Sequence, residues 1–266
     1  MRIFRLSFAP LVLVVMLALV GGGAAPGYAQ QPAASARFGL NGAAASPQDA
    51  AESGASWEIV VFRWDELQPD GPTEWESSPE LESWLETSRT QGREVVGLLI
   101  GTPAWATAGN PGTGVPEGLA LDAVDASNQW ASFTRRAVSY YGARGVSRWI
   151  IWDTPDLGTN IANHTWDGSV AEYYRLVKVA YQVAKQANPN AQVHLGAVTY
   201  SDPGWFGRYL KEAVNDPEAA QNSYFFDVAS VNLYNATEDV YTRTGNHYFV
   251  MSQYGIPLKP VWINRA

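Results

Sequence analysis

The 266-residue chain carries 18 Lys and Arg against 26 Asp and Glu, a net charge of −8 and an isoelectric point near 4.9. So thin a scatter of cations offers no clustered basic face, which argues against nucleic acid and other polyanions as partners. Zero cysteines exclude a disulfide framework and a thiolate metal site, so a large apolar core must hold the fold.

Arg2 and Arg5 precede an apolar run from Leu11 to Val20, and small residues lead to Ala29. That order is a signal peptide, expected over residues 1–29 and cleaved after Ala29, which places the mature protein outside the cytoplasm. The run is shorter than the roughly 20 residues a bilayer requires, so no membrane span is expected after cleavage. The Ala, Gln and Pro residues of 30–36 read as a disordered leader, and 37–266 as one domain.

Seven strand candidates follow in chain order: Phe38–Asn41, Trp57–Trp64, Val95–Gly101, Arg148–Asp153, Val193–Tyr200, Phe226–Tyr234 and Pro260–Asn264. Helical spacing occupies Pro79–Gln91, Ser127–Tyr141, Ser169–Ala187, Gly204–Asn215 and part of Glu238–Tyr254. In the third of these, Tyr173, Leu176, Val177, Ala180, Val183 and Ala184 share one face, and Asn188-Pro189 ends it. Apolar strands alternating with helices predict an α/β fold with a parallel sheet. No Gly-x-Gly-x-x-Gly follows any strand, and polar and aromatic residues gather just after the strands, as at the mouth of a (β/α)8 barrel. The count is one short of eight, so a barrel ending after its seventh strand is expected to expose edges through which copies could associate.

Eleven Trp and 13 Tyr suit either a large aromatic core or stacking on sugar rings. The strand-end fragments resemble those of clan A glycoside hydrolases, the retaining β-glycosidase barrels. They are Arg63-Trp64, Gly101-Thr102-Pro103-Ala104-Trp105, Trp149 to Asp156, Asn232-Leu233-Tyr234 and Lys259 to Arg265. The resemblance implies a carbohydrate ligand and no cofactor. It also implies that Arg63, Trp64, Trp105, Trp152, Asp156, Asn232 and Tyr234 line the substrate cleft.

Two departures from the family pattern stand out. Where the strand-four motif has Asn-Glu, this chain has Asp153-Thr154, and where the strand-seven motif has its nucleophilic Glu, it has Arg265. A retaining glycosidase needs one carboxylate to attack the anomeric carbon and one carboxylic acid to protonate the leaving oxygen. Thr154 cannot titrate in the working range, and Arg265 is always cationic. Asp153, Asp156, Asp65 and Glu66 are the carboxylates nearest in sequence that could be recruited instead. With Arg63 and Arg265 at one mouth, Asp153 is the expected counter-ion of one of them, or else Arg265 turns to solvent. His164, His194 and His247 show no metal-ligand spacing, and His194 reads as structural. A glycan-binding, catalytically impaired barrel is therefore expected, with an active glycosidase using relocated carboxylates and an envelope scaffold as the alternatives.

Overall fold

A computed structural model describes the chain over residues 35–234 and 236–266, with side chains from residue 38 onward. The expected signal peptide and the leader up to residue 34 lie outside the described residues. Ser35 and Ala36, read from sequence as the end of the leader, already belong to the first strand, where Ser35 pairs with Ala55.

The strands are β1 (Ser35–Asn41), β2 (Ala55–Arg63), β3 (Glu94–Ile100), β4 (Arg148–Ile151), β5 (Gln192–Leu195), β6 (Ala229–Asn232) and β7 (Val261–Arg265). The helices are α1 (Pro47–Glu52), α2 (Trp64–Leu67), α3 (Pro79–Thr90), α4 (Gln129–Gly142), α5 (Val170–Ala187), α6 (Trp205–Asn215) and α7 (Asp239–Gln253). Strands β1 to β5 pair in sequence order and in parallel, and β6 pairs in parallel with β7. Parallel bridges at His194–Val228 and Val198–Val231 join the two sets, so all seven strands run one way. Helices α4, α5, α6 and α7 pack each on the next around the outside.

Local sequence accounts for these elements. Strand β3 reads Glu-Val-Val-Gly-Leu-Leu-Ile and is buried on both faces beyond its first residue, as a parallel strand covered on both sides must be. Helix α5 opens on a capping box in which the Ser169 hydroxyl accepts from the Glu172 amide and Glu172 accepts from the Ser169 amide. Its buried face contains Tyr173, Leu176, Val177, Ala180, Val183 and Ala184, the set that the periodicity gives. Each large apolar side chain so buried contributes about 1.5–3 kcal/mol.

The strands curl far enough for non-neighbours to meet inside. The Trp262 ring of β7 lies 4.9 Å from Trp57 of β2 and 4.9 Å, edge-on, from His194 of β5, and 5.1 Å from the Arg148 guanidinium of β4. Gly39 leaves the space for the Trp57 indole, since a Cβ there would fall 2.1 Å from it. Asn41 of β1 donates from Nδ2 to the Asn264 carbonyl of β7 at 2.8 Å, which links the first strand to the seventh. No helix among the described residues is long and apolar enough to cross a membrane.

Candidate functional site

The site is built where β4, β6 and β7 end. After Ile151 the chain leaves the strand through two left-handed residues, Trp152 (φ 67°) and Thr154 (φ 43°). Neither is glycine, and such conformations cost on the order of 1–3 kcal/mol each, so the surroundings must impose them. They do. The Trp152 amide continues the ladder to Leu99 O (2.9 Å) and the Thr154 amide reaches Ala197 O (3.1 Å), while the buried Trp152 indole donates to Thr165 O (2.6 Å). The Thr165 hydroxyl in turn donates to the Asp153 carbonyl.

This turn aims the Asp153 side chain across the mouth. Arg265, at the end of β7, brings Nη1 to 3.0 Å from Asp153 Oδ2, and Asn232, at the end of β6, donates from Nδ2 to Oδ1 at 3.2 Å. Asp153 is only 7 % exposed. Burial raises its pKa above the ordinary carboxylate value, against the opposing effects of Arg265, Asn232 and the Thr154 amide. Burial outweighs the ion pair because Arg265 itself stays in contact with solvent. The Leu233 amide donates to Arg265 O (2.8 Å), fixing the β7 end to β6. Around these groups opens a cleft of about 490 Å³, lined by Asp153, Thr154, Asn232, Tyr234 and Arg265 among others. Thr199 and Ser201 after β5, and Asp239 and Arg243 from α7, complete its polar wall.

Five of the ten residues expected at a binding mouth therefore meet in one cleft, and the other five do not line it. Arg63 makes no pair with Asp153: its guanidinium is taken by Asp65 (2.6 Å) and Glu66 (3.3 Å), which the short helix α2 places directly after it. Trp64 and Trp152 are fully buried, the first donating to Gln68 Oε1 (2.9 Å). Trp105 is half-buried edge-on against Trp64, with its indole held by Gln68 O (2.7 Å). Both Asp156 oxygens accept from the Thr199 amide at 2.9 Å, so this carboxylate clamps the β5 loop. Of the expected counter-ion arrangements, the Asp153–Arg265 pair is the one present.

The sequence reading did not single out Asp239, Arg243, Thr199 or Ser201. A signal existed for the first two, because an i, i+4 pair in the first turns after β6 shares one helix face. The histidines are dispersed. His194 is fully buried with neither ring nitrogen partnered among the described residues, and burial, aided by Arg148, lowers its pKa to about 3. His247 is buried against Tyr200 and Phe206, with its pKa lowered by burial to about 4. No group of His, Asp and Glu among the described residues could hold a metal ion.

No protein-family model and no curated protein matches the sequence. Solved structures do match. A GH39 β-xylosidase from Caulobacter crescentus superposes with a TM-score of 0.61 at 15% identity, over 89% of this chain and 56% of that one. A glucosidase from Croceicoccus marinus gives 0.59 at 16% identity, over 80% and 46%. The GH39 enzyme from Xanthomonas axonopodis pv. citri gives 0.58 at 14% identity, over 86% and 51%. The fold is that of the glycoside hydrolase (β/α) barrels. The chain spans about half the length of these structures.

Proposed function

We propose that this protein is an extracytoplasmic barrel that binds a glycan in the cleft at the ends of β4, β6 and β7 and does not hydrolyse it efficiently. The observation that carries the reading is the Asp153–Arg265 pair. A retaining mechanism needs a free carboxylate and a carboxylic acid about 5–5.5 Å apart. Among the described residues the strand ends of this cleft offer Thr154, Arg265 and one carboxylate, Asp153, which is buried and already bonded to Arg265 and Asn232, while the other lining carboxylate, Asp239, stands on α7 beside Arg243. A guanidinium at the attacking position also repels the positive charge that develops on the sugar ring. Tyr234, 60 % exposed on the cleft wall, gives a face on which a pyranose can stack. The placement outside the cytoplasm rests on residues 2–29, whose basic start, apolar run and small-residue end suit export.

The test is turnover of aryl β-glycosides alongside binding to a glycan array. Turnover at buffer level with saturable glycan binding, weakened about tenfold by Tyr234→Ala, is expected. Robust turnover abolished by Asp153→Asn would replace this reading with an enzyme using relocated carboxylates. Inertness in both assays would leave the barrel as a scaffold. Glutamate restored at Thr154 and Arg265 together should recover detectable turnover and neither alone should, because acid and nucleophile act as a unit.

A further inference from the structure

The cleft contains two guanidiniums whose donors are mostly unspent. Arg243, on α7, lies 4.5 Å over the Tyr200 ring, and its charged neighbour on the helix, Asp239, stays 3.9 Å away, beyond hydrogen-bond reach. No described residue accepts a hydrogen bond from the Arg243 guanidinium, although this side chain is two-thirds buried and lines the cleft. Tyr200 is itself held, its hydroxyl meeting His247 Nδ1 at 2.7 Å and donating to Arg243 O at 2.9 Å. The ring is thus a fixed platform, and the guanidinium above it is oriented without being consumed. Arg265 uses Nη1 on Asp153 and makes no other side-chain bond among the described residues. Thr199 and Ser201 add hydroxyls to the same wall.

Resting on the glycan-binding reading above, we infer that the cleft selects a saccharide carrying a carboxylate, with Arg243 as the residue that receives it. A planar carboxylate matches the guanidinium fork in two parallel hydrogen bonds, which a neutral hydroxymethyl group cannot make. Stacking on Tyr200 lowers the entropy lost when Arg243 engages, and partial burial keeps water from screening the contact. Asp239 and Asp153 oppose any anion placed near them. Asp153 is offset by Arg265, and Asp239 stands on the Arg243 side, so a single carboxylate is accommodated and a densely charged polymer is not. The whole-chain charge of −8 acts in the same sense. The ligand class is a short, mostly neutral saccharide ending in one uronic acid.

A matched pair of probes isolates the carboxylate: cellobiouronic acid and cellobiose, titrated calorimetrically into the full chain at pH 7. The acid is expected to bind about tenfold to a hundredfold tighter, the span that one charge-assisted contact supplies. Arg243→Met should bring the two affinities together, and Arg243→Lys should keep part of the difference, since it retains the charge and loses the fork. Arg89→Met on α3 removes the same charge away from the cleft and should leave the ratio unchanged. Equal wild-type affinities for the two sugars would overturn the carboxylate assignment while leaving glycan binding intact. Failure of both sugars, and of the glycan array, would remove the glycan reading itself. A wild-type preference that survives Arg243→Met in a variant with an unchanged melt would overturn the role of Arg243.

Discussion

One side of the barrel mouth is filled and the other is open, although both carry aromatic and polar residues at strand ends. On the β2–β4 side, Trp105, Trp64, Trp130, Trp152 and Trp166 form a chain of rings with centroids 5.2 to 6.1 Å apart. The segments after β3 and β4 cover them and are tied together by Asp167, which accepts from Asn110 (2.9 Å) and Thr113 (2.7 Å). On the β4–β7 side the connections after β5 and β6 are short, and Tyr234, Arg243 and Arg265 stay accessible. Position at a strand end thus puts a side chain at the mouth, and the length of the following connection decides whether it becomes wall or core.

The contrast is open to direct attack, the largest effect coming from the filled side. Trp64→Ala should cost about 3–5 kcal/mol of unfolding free energy, read by urea titration, because its ring stacks on Phe133 at 5.0 Å inside a fully buried cluster. A loss under 1 kcal/mol would mean that the filled side is no more a core than the cleft.

Acid should act through the buried histidines rather than through the cleft. His194 and His247 have pKa values near 3 and 4 in the fold, against the ordinary value of 6.5 when unfolded. The unfolded chain therefore binds the extra protons from pH 6.5 down to about 4 for His247 and about 3 for His194, and stability present in full above pH 6.5 is lost as pH falls through that window. The combined loss at pH 4 should be a few kcal/mol. His194→Leu should flatten the dependence of Tm on pH, and an unchanged slope would remove His194 from the explanation.

Within the cleft, Arg265→Met should cost about 1–2 kcal/mol at pH 8, a figure discounted for the exposure of Arg265. The Asp153 pKa is already raised by burial and would rise further, so the variant's deficit should shrink as pH falls towards 4 and the acid becomes neutral. A deficit that grows on acidification would contradict the ion pair. Thr154→Gly should give the smallest change and the opposite sign, a gain of about 1 kcal/mol from release of the left-handed conformation at φ 43°. Calorimetry showing a loss would mean that the Thr154 side chain is worth more than its strain.

The barrel was legible in sequence because apolar runs and helical periods report burial directly. Each of the seven strands and five longer helices overlaps a predicted segment, with starts or ends shifted by one to three residues where they overrun it, while α1 and α2, each six residues or fewer, are too short to show a period. Strands β4 and β5 end earlier than their apolar runs suggest. Trp152 (φ 67°) turns the chain out of β4, and Gly196, whose Cβ would lie 2.7 Å from Trp152 O, marks the same crowding in β5. Site residues were harder to read. Asp153, Asn232 and Arg265 follow from motif position, but Arg63 was taken by its sequence neighbours Asp65 and Glu66, Asp156 by Thr199, which only folding brings near, and Arg243 lies on a helix with no motif of its own.

The Asn41–Asn264 hydrogen bond joins residues 223 positions apart. Each neighbouring strand pair before it closes a far shorter stretch of chain, and the entropic cost of closure grows with the logarithm of that length. The contact order of this seam exceeds that of any other strand junction in the fold, so folding should zip from β2–β3 outward and reach it late. The same bond stands alone between β1 and β7, without a backbone ladder among the described residues. Its opening then needs only a local fluctuation, and amide exchange should be fastest along this seam while the β2–β4 strands remain protected.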